Sequence, residues 1–369
     1  MKICHLTSAH PRFDIRIFRK QCCSLSKKNT IYLVVADGIG NELVNNINII
    51  DVGKPISRKD RIFNTPNKVL KAAFDINADI YHLHDPELLF IALKLKENGK
   101  KVIFDAHEDL PKQILAKPYL NKLTARILSL FTKYYEKYIC SKLDFIVTAT
   151  PAIRDKFSKF SKNVIDINNY PLLGELTPLD KDWNNIGNEV AYVGGISKIR
   201  GIEQIVDSLS LLKTSTKLNL VGSFGEKAIY ENIQKSEGWA NVNERGQLNR
   251  SQVKEVLQSS VAGLVTFLPV PNHIDAQPNK MFEYMSAGIP VIGSNYPLWK
   301  SIIEDNNCGI CVDPEDPQQI ANAIDKLVLN KSLAEQMGKN GIQAVNEKYN
   351  WSIEEAKLYK LYDELLGNL

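Results

Sequence analysis

The 369-residue chain contains no apolar run approaching the ~20 residues that a helix needs to cross a bilayer. A helical membrane span is thereby excluded. Cysteine is scarce: six residues, at 4, 22, 23, 140, 308 and 311, too scattered for a disulfide framework. Reduced thiols in the cytoplasm are the expectation. Cys308-Gly-Ile-Cys311 is a CxxC with no second such pair, so it reads as part of a strand instead of a zinc or redox motif. No GxGxxG is present, which excludes the dinucleotide fingerprint. Nor is there a short tandem repeat, a low-complexity tract or a nucleic-acid recognition motif. The opening MKICHLTSAHPRF reads as a strand and a polar loop, not as a cleaved leader.

What is present is the composition of a soluble globular protein, 44% hydrophobic and 24% charged, at a length that suits two domains. Residues 1–170 carry 28 Lys and Arg against 17 Asp and Glu, a surplus of 11. Residues 171–369 carry 18 against 25, a deficit of 7, which restores the net +4. The basic half either faces an anionic partner or is a solvated face with no partner.

Short apolar runs alternate with helical patterns. In the first half they are 2–7, 31–36, 79–84, 101–106 and 144–149. After residue 188 the pattern restarts with 189–195, 217–223, 241–246, 262–267, 290–294 and 309–313. The runs of the first half are continuous, as expected of parallel strands buried on both faces. The segment 171–188, rich in Pro, Asn and Gly, reads as a linker. Two parallel-sheet α/β domains facing across a cleft follow, with boundaries at 1–170 and 189–350. Helices are expected at about 331–347 and 352–367.

Open α/β sheets bind ligands beyond the carboxyl ends of their strands. After the first strand come His10, Arg12, Asp14 and Arg16, beside a helix start suited to an anion. The third strand leads into His82, His84 and Asp85, and the fourth into Asp105, His107, Glu108 and Asp109. His82 and His84 share one face of a strand, but no further ligand cluster supports a metal. In the second half Gly194 and Gly195 let backbone approach a ligand, and Lys198 and Arg200 add charge at the next helix start. Pro278 suits the first turn of a further helix. Asn279, Lys280 and Met281 would then offer free amides to an anion, reinforced by the Lys280 charge. Glu283, one turn on, can accept two hydroxyls. Phosphate at the helix start and ribose on the acid describe a nucleotide; a capped helix with a solvent-facing Glu is the alternative.

DAQPNKMFEYMSAGIPVIGS resembles the nucleotide-binding helix segment of the family 4 (group 1) glycosyltransferases, retaining enzymes of the GT-B fold. YVGGISKIRGIEQIVDSL, HLHDPELL, IFDAHED and GICVDPEDPQQIANAI support the resemblance. It implies two Rossmann-like domains, an N-terminal one binding acceptor and a C-terminal one binding nucleotide sugar. The last helix, 351–369, would pack back on the first. The family's acid pair, E-x7-E, falls on Asp275 and Glu283, the first on the donor sugar and the second on the ribose. Its diphosphate cradle falls on the amides of Asn279, Lys280 and Met281. Its basic pair falls on Gly195 and Arg200, so one charge is missing, with Lys198 or Lys280 as the replacement. His107 matches a histidine beside the reacting centre. The family's Gly-rich first loop is replaced by TSAHPRFDIRIF, which leaves His10, Arg12, Asp14, Arg16, His84 and Asp85 as acceptor-side candidates.

The resemblance implies transfer of a sugar, UDP- or GDP-linked, with retention and without cofactor or metal, the leaving phosphate helping to accept the acceptor's proton. Residues 112–142 carry seven basic residues and one acid, with Leu123, Ile127, Leu130, Tyr134 and Tyr138 at helical spacing. This is either a basic amphipathic helix lying on an anionic membrane or a domain helix whose apolar face joins the core. Membrane docking would imply peripheral placement on the inner face of the plasma membrane. It would also imply a lipid-linked glycan acceptor, as in O-antigen or capsule assembly, and no nucleic-acid partner. A nucleotide-sugar 2-epimerase and a non-catalytic donor-binding or scaffolding subunit are the rival readings.

Overall fold

The computed structural model describes residues 1–117, 120–178, 181–365 and 367. Residues 118 and 119 of the basic segment, 179 and 180 of the expected linker, and 366, 368 and 369 of the last segment lie outside the described residues. The chain divides into two units, Met1–Asn169 with Trp351–Leu369, and Tyr170–Asn350.

The first unit holds an eight-stranded sheet built from β1 (Lys2–Leu6), β2 (Thr30–Val35), β3 (Glu42–Val44), β4 (Ile47–Asp51), β5 (Ile80–Leu83), β6 (Lys101–Ala106), β7 (Phe145–Thr148) and β8 (Val164–Asp166). Their order is β3-β4-β2-β1-β5-β6-β7-β8. All pairs are parallel except the β3–β4 hairpin. That hairpin was not expected from the sequence. Asn45 and Asn46 both take positive φ, 50° and 61°, in the two-residue turn that such hairpins favour. β1 lies between β2 and β5, so the chain reverses direction across the sheet there. His5 stands opposite His82, and His82 opposite Ile103. The loops after β1, β5 and β6 therefore leave neighbouring strands at the same edge, where such folds bind ligands.

The second unit is a six-stranded sheet, wholly parallel: β9 (Glu189–Val193), β10 (Lys217–Val221), β11 (Val242–Gly246), β12 (Ala262–Val265), β13 (Val291–Ser294) and β14 (Gly309–Val312). The order β11-β10-β9-β12-β13-β14 puts its switch point beside β9. Residues 171–178 and 181–188 have little regular structure, yet Leu176 and Trp183 are buried in this unit's core. Cys308 is buried at the start of β14, where burial pushes its thiol up to about 12.

The helix Trp351–Leu365 belongs to the first unit. Trp351 Nε1 donates to Ser24 Oγ, Asn168 N donates to Glu354, and Leu358, Leu361 and Tyr362 are buried. A different helix, Lys122–Cys140, buries Ala125, Thr132, Glu136, Ile139 and Cys140. Its periodic apolar residues lie on the other side: Leu123, Ile127, Leu130, Phe131, Tyr134 and Tyr138 are each 53–70% exposed. Helical spacing alone would have sent such residues into a core. Among the described residues, no helix is long and apolar enough to cross a membrane.

Candidate active site

In the second unit, the helix Asn279–Ser286 follows a turn and turns its Met281, Phe282, Tyr284 and Met285 inward. Tyr284 Oη accepts the Val193 N–H at 3.0 Å, which ties the helix to the end of β9. Pro278 is the N-cap and not the first helical residue as expected, because its ψ of 129° is extended. Met281 N donates back to Pro278 O at 3.0 Å. Of the three amides expected at the helix start, Met281's is therefore already used.

Lys280 is the central finding here. Its side chain runs inward, with Nζ 3.6 Å from the centre of the Tyr192 ring and 5.2 Å from that of Phe267. The amine is buried and has no hydrogen-bond partner among the described residues. Burial, with Arg200 nearby, holds its pKa well below the usual lysine range, against the pull of Glu283. Gly194, at φ 123°, passes close by: a Cβ there would come 3.4 Å from Nζ. Arg200 Nη1 donates to Gly195 O at 2.8 Å. A Cβ at Gly195 would meet that same Nη1 at 2.5 Å. Glycine there gives the guanidinium its room, and Lys280 brings an amine to the same strand end. Lys198, the other candidate, is exposed and 3.6 Å from Glu203.

Glu283 is not solvent-facing. Arg250 Nη1 lies 2.8 Å from Glu283 Oε1, and its Nη2 3.0 Å from Glu175 Oε2. Burial works against the Arg250 charge, but the two carboxylates raise its pKa further still. Neither Arg250 nor Glu175 emerged from the sequence. Arg250 opens the helix after β11, and the strand-end rule applied there would have found it. Asp275 lies exposed in the turn before Pro278.

In the first unit, β1, β5 and β6 bring five histidines together. His5 Nδ1 and His84 Nε2 lie 2.9 Å apart, and His84 Nδ1 and His107 Nε2 3.2 Å apart. His82 Nδ1 lies 2.9 Å from Tyr362 Oη. Burial pushes His84 down to about 3, against the pull of Asp105, and lowers His5 and His82 as well. These rings are thus neutral near pH 7. Asp105 is their hub: wholly buried, it receives Arg16 Nε at 3.0 Å, Arg16 Nη2 at 2.7 Å and Gln21 Nε2 at 2.8 Å. His10 Nδ1 lies 2.8 Å from Asp85 Oδ1, and its ring centre 4.8 Å from that of His107.

Three acceptor-side candidates serve the fold instead. Arg12 binds Asp37 through Nε and Nη2 and also reaches Glu42, so its charge is met within the protein. Asp14 caps the helix Ile15–Cys22 by accepting from the amides of Arg16 and Ile17. Arg16 is buried on Asp105. The expectation of free positive charge after the first strand is corrected accordingly. His10, His84, Asp85 and His107 do come together.

The donor atoms of His5, His82 and His84, and those of His84, Asp105 and His107, lie within 4.8 Å of one another. A cation on the second triad would share Asp105 with Arg16 and Gln21, which already hold both its oxygens. The donor set fits a hydrogen-bonded network better than a metal.

Residues 180–344 match the family described as Glycosyl transferases group 1, and residues 25–166 match Glycosyltransferase Family 4. The capsular polysaccharide biosynthesis glycosyltransferase CapM of Staphylococcus aureus is 23% identical over 408 aligned residues, covering 99% of this chain and 97% of that protein. Sucrose-phosphate synthase from Thermosynechococcus elongatus superposes with a TM-score of 0.81 at 18% identity, over 100% of both chains. Anabaena HepE in complex with UDP-glucose does so with 0.76 at 15%, again over 100% of both. Each sheet is thus matched by its own family model, and the chain belongs to the group 1, family 4 glycosyltransferases, enzymes of class EC 2.4 built on the GT-B fold.

Proposed function

We propose that this glycosyltransferase moves a sugar from a UDP- or GDP-linked donor to a lipid-linked saccharide, with retention, in assembly of a surface polysaccharide. The observation that carries the donor half is Lys280. A buried amine without a partner is costly unless a ligand supplies one. A diphosphate at the start of the helix Asn279–Ser286 would do so, and would draw the amine into its charged form. Arg200 supplies the second charge, and the free helix amides add to both. In this reading the anomeric carbon–oxygen bond breaks toward a diphosphate whose charge is met by these groups and not by a metal. Glu283, steadied by Arg250, takes the ribose hydroxyls. Asp275, in the place of the family's first acid, takes the donor sugar.

The acceptor half is supported by the helix Lys122–Cys140. Its exposed apolar residues lie among exposed Lys122, Arg126, Lys133 and Lys137. That combination suits an anionic lipid surface. The Staphylococcus aureus relative, by its name, serves capsular polysaccharide. Peripheral membrane placement follows.

Thermal stabilisation by UDP-, GDP-, ADP- and dTDP-sugars, with and without EDTA, tests the donor. One nucleotide class should raise the melting point regardless of EDTA. A folded protein indifferent to every donor would sink the proposal. Co-sedimentation with anionic vesicles tests the surface: reversing the charge of the four basic residues should abolish it, and absence of binding by the natural protein refutes it.

A further inference from the structure

An arginine beside a carboxylate commonly forks onto it, with two N–H groups meeting the two oxygens. Arg250 does not treat Glu283 this way. Its Nη1 lies 2.8 Å from Glu283 Oε1, while its Nη2 donates to Glu175 Oε2 at 3.0 Å. The guanidinium therefore bridges two acids. Its Nε is buried and has no hydrogen-bond partner among the described residues. Among those residues none hydrogen-bonds Glu283 Oε2 either, and the Glu283 side chain is 16% exposed.

Local structure delivers Glu175 to this place. Gly174 takes φ 79°, and Glu175 N donates to Leu172 O at 3.4 Å, which closes a turn. The next residue, Leu176, is wholly buried in the core of the second unit. Upstream, Tyr170 Oη donates to Gln277 Oε1 at 3.0 Å, and its ring meets Phe282 edge-on with centres 4.8 Å apart. The stretch around Glu175 is thus fastened on both sides to the unit that carries the helix Asn279–Ser286. Arg250 is fixed separately, because Asn249 and Gln252 cap its helix reciprocally.

A ribose offers two neighbouring hydroxyls, and a carboxylate has about four lone-pair sites to receive them. A forked arginine would sit on both oxygens; the bridging one sits on Oε1 alone. We propose that Glu175 keeps Glu283 open to the ribose by drawing half of Arg250 away from it. Glu175 is then a positioning residue of the donor site, supplied by the stretch that reads as a linker. Without it, Arg250 would turn its unmet Nε onto Glu283 Oε2 and close the fork. The inference rests on the placement of the ribose on Glu283 and deepens it.

The test is calorimetric binding of UDP, GDP and ADP, and of their dideoxyribose counterparts, to the whole protein. The natural protein should bind one ribonucleotide roughly 10-fold or more tighter than its dideoxy form, as expected of hydroxyls on a charged acceptor. Glu175→Ala should remove most of that ratio by weakening the ribonucleotide alone. Adding Arg250→Met takes the fork away, so the double variant should bind the ribonucleotide more tightly than Glu175→Ala does. A mere packing role for Glu175 predicts the reverse: both nucleotide forms weaken together, and the double variant is the weakest. Glu175→Gln, which keeps the shape, replaces the alanine variant if that one does not melt cooperatively, and the same order is expected. An unchanged ratio in the single variant, or a double variant weaker than the single, overturns the role of Glu175 alone. A folded natural protein that binds both forms equally, or binds neither, overturns the ribose on Glu283 along with it.

Discussion

Replacing Lys280 with methionine exchanges a buried amine for an apolar chain of similar length between Tyr192 and Phe267. Two effects of opposite sense follow. The amine has no hydrogen-bond partner among the described residues, and an unsatisfied buried polar group costs about 1–3 kcal/mol. The variant should recover that amount, and each kcal/mol is worth about 2–4 °C in a unit of this size. Donor binding should weaken, since a hydrogen bond to a charged group contributes about 1.5–3 kcal/mol, or roughly 10- to 150-fold in affinity. A melt with and without the stabilising nucleotide sugar reads both effects. The variant should melt higher alone and respond less to donor. A variant that melts lower and keeps the full donor response refutes the reasoning on both counts. The lowered pKa adds a second check. Donor binding should be accompanied by proton uptake, measured by calorimetry in buffers of different ionisation enthalpy, and affinity should fall as pH rises.

The His84 ring, held at about 3 in the fold against 6.5 when unfolded, loses stability for the protein as pH falls below 6.5, because the unfolded chain binds the proton that the fold refuses. For this group alone the loss is about 2 kcal/mol at pH 5, and a melt between pH 6.5 and 5 that does not fall would contradict it. Arg16→Met should cost about 3–5 kcal/mol by stranding Asp105, read as a lower denaturation midpoint; a smaller loss would mean that Gln21 and the histidines suffice. Gly195→Ala should leave the melting point nearly unchanged, since only the mobile end of Arg200 must move, while the donor-induced shift shrinks.

Most strands were legible because parallel strands buried on both faces are written as continuous apolar runs, and every expected segment, the largely polar 241–246 included, forms a strand. The β3–β4 hairpin escaped because Glu42–Val44 is only three residues long, although Asn45-Asn46 carried a turn signal. The segment 171–188 was legible as irregular but not as packed, since Leu176 and Trp183 are too sparse to make a period. At the site, local pattern located the helix start to within one residue, at Pro278 where the helix begins at Asn279, and the histidines at the strand ends. It also suggested free cations at Arg12 and Arg16, because a loop sequence does not say which distant carboxylate will meet it.

Sequence by itself determined the two parallel sheets, the helix that offers Lys280 and Glu283, and the family, because these depend on periods and motifs within a few tens of residues. Only the tertiary structure decided which charges remain available. Strand order brought Asp85 to His10 and Asp105 to Arg16, turned Lys280 inward without a partner, and left the apolar face of Lys122–Cys140 in solvent. Each of these turns on pairings between residues remote in the chain, and burial and electrostatic partners belong to the fold and not to any one segment of it.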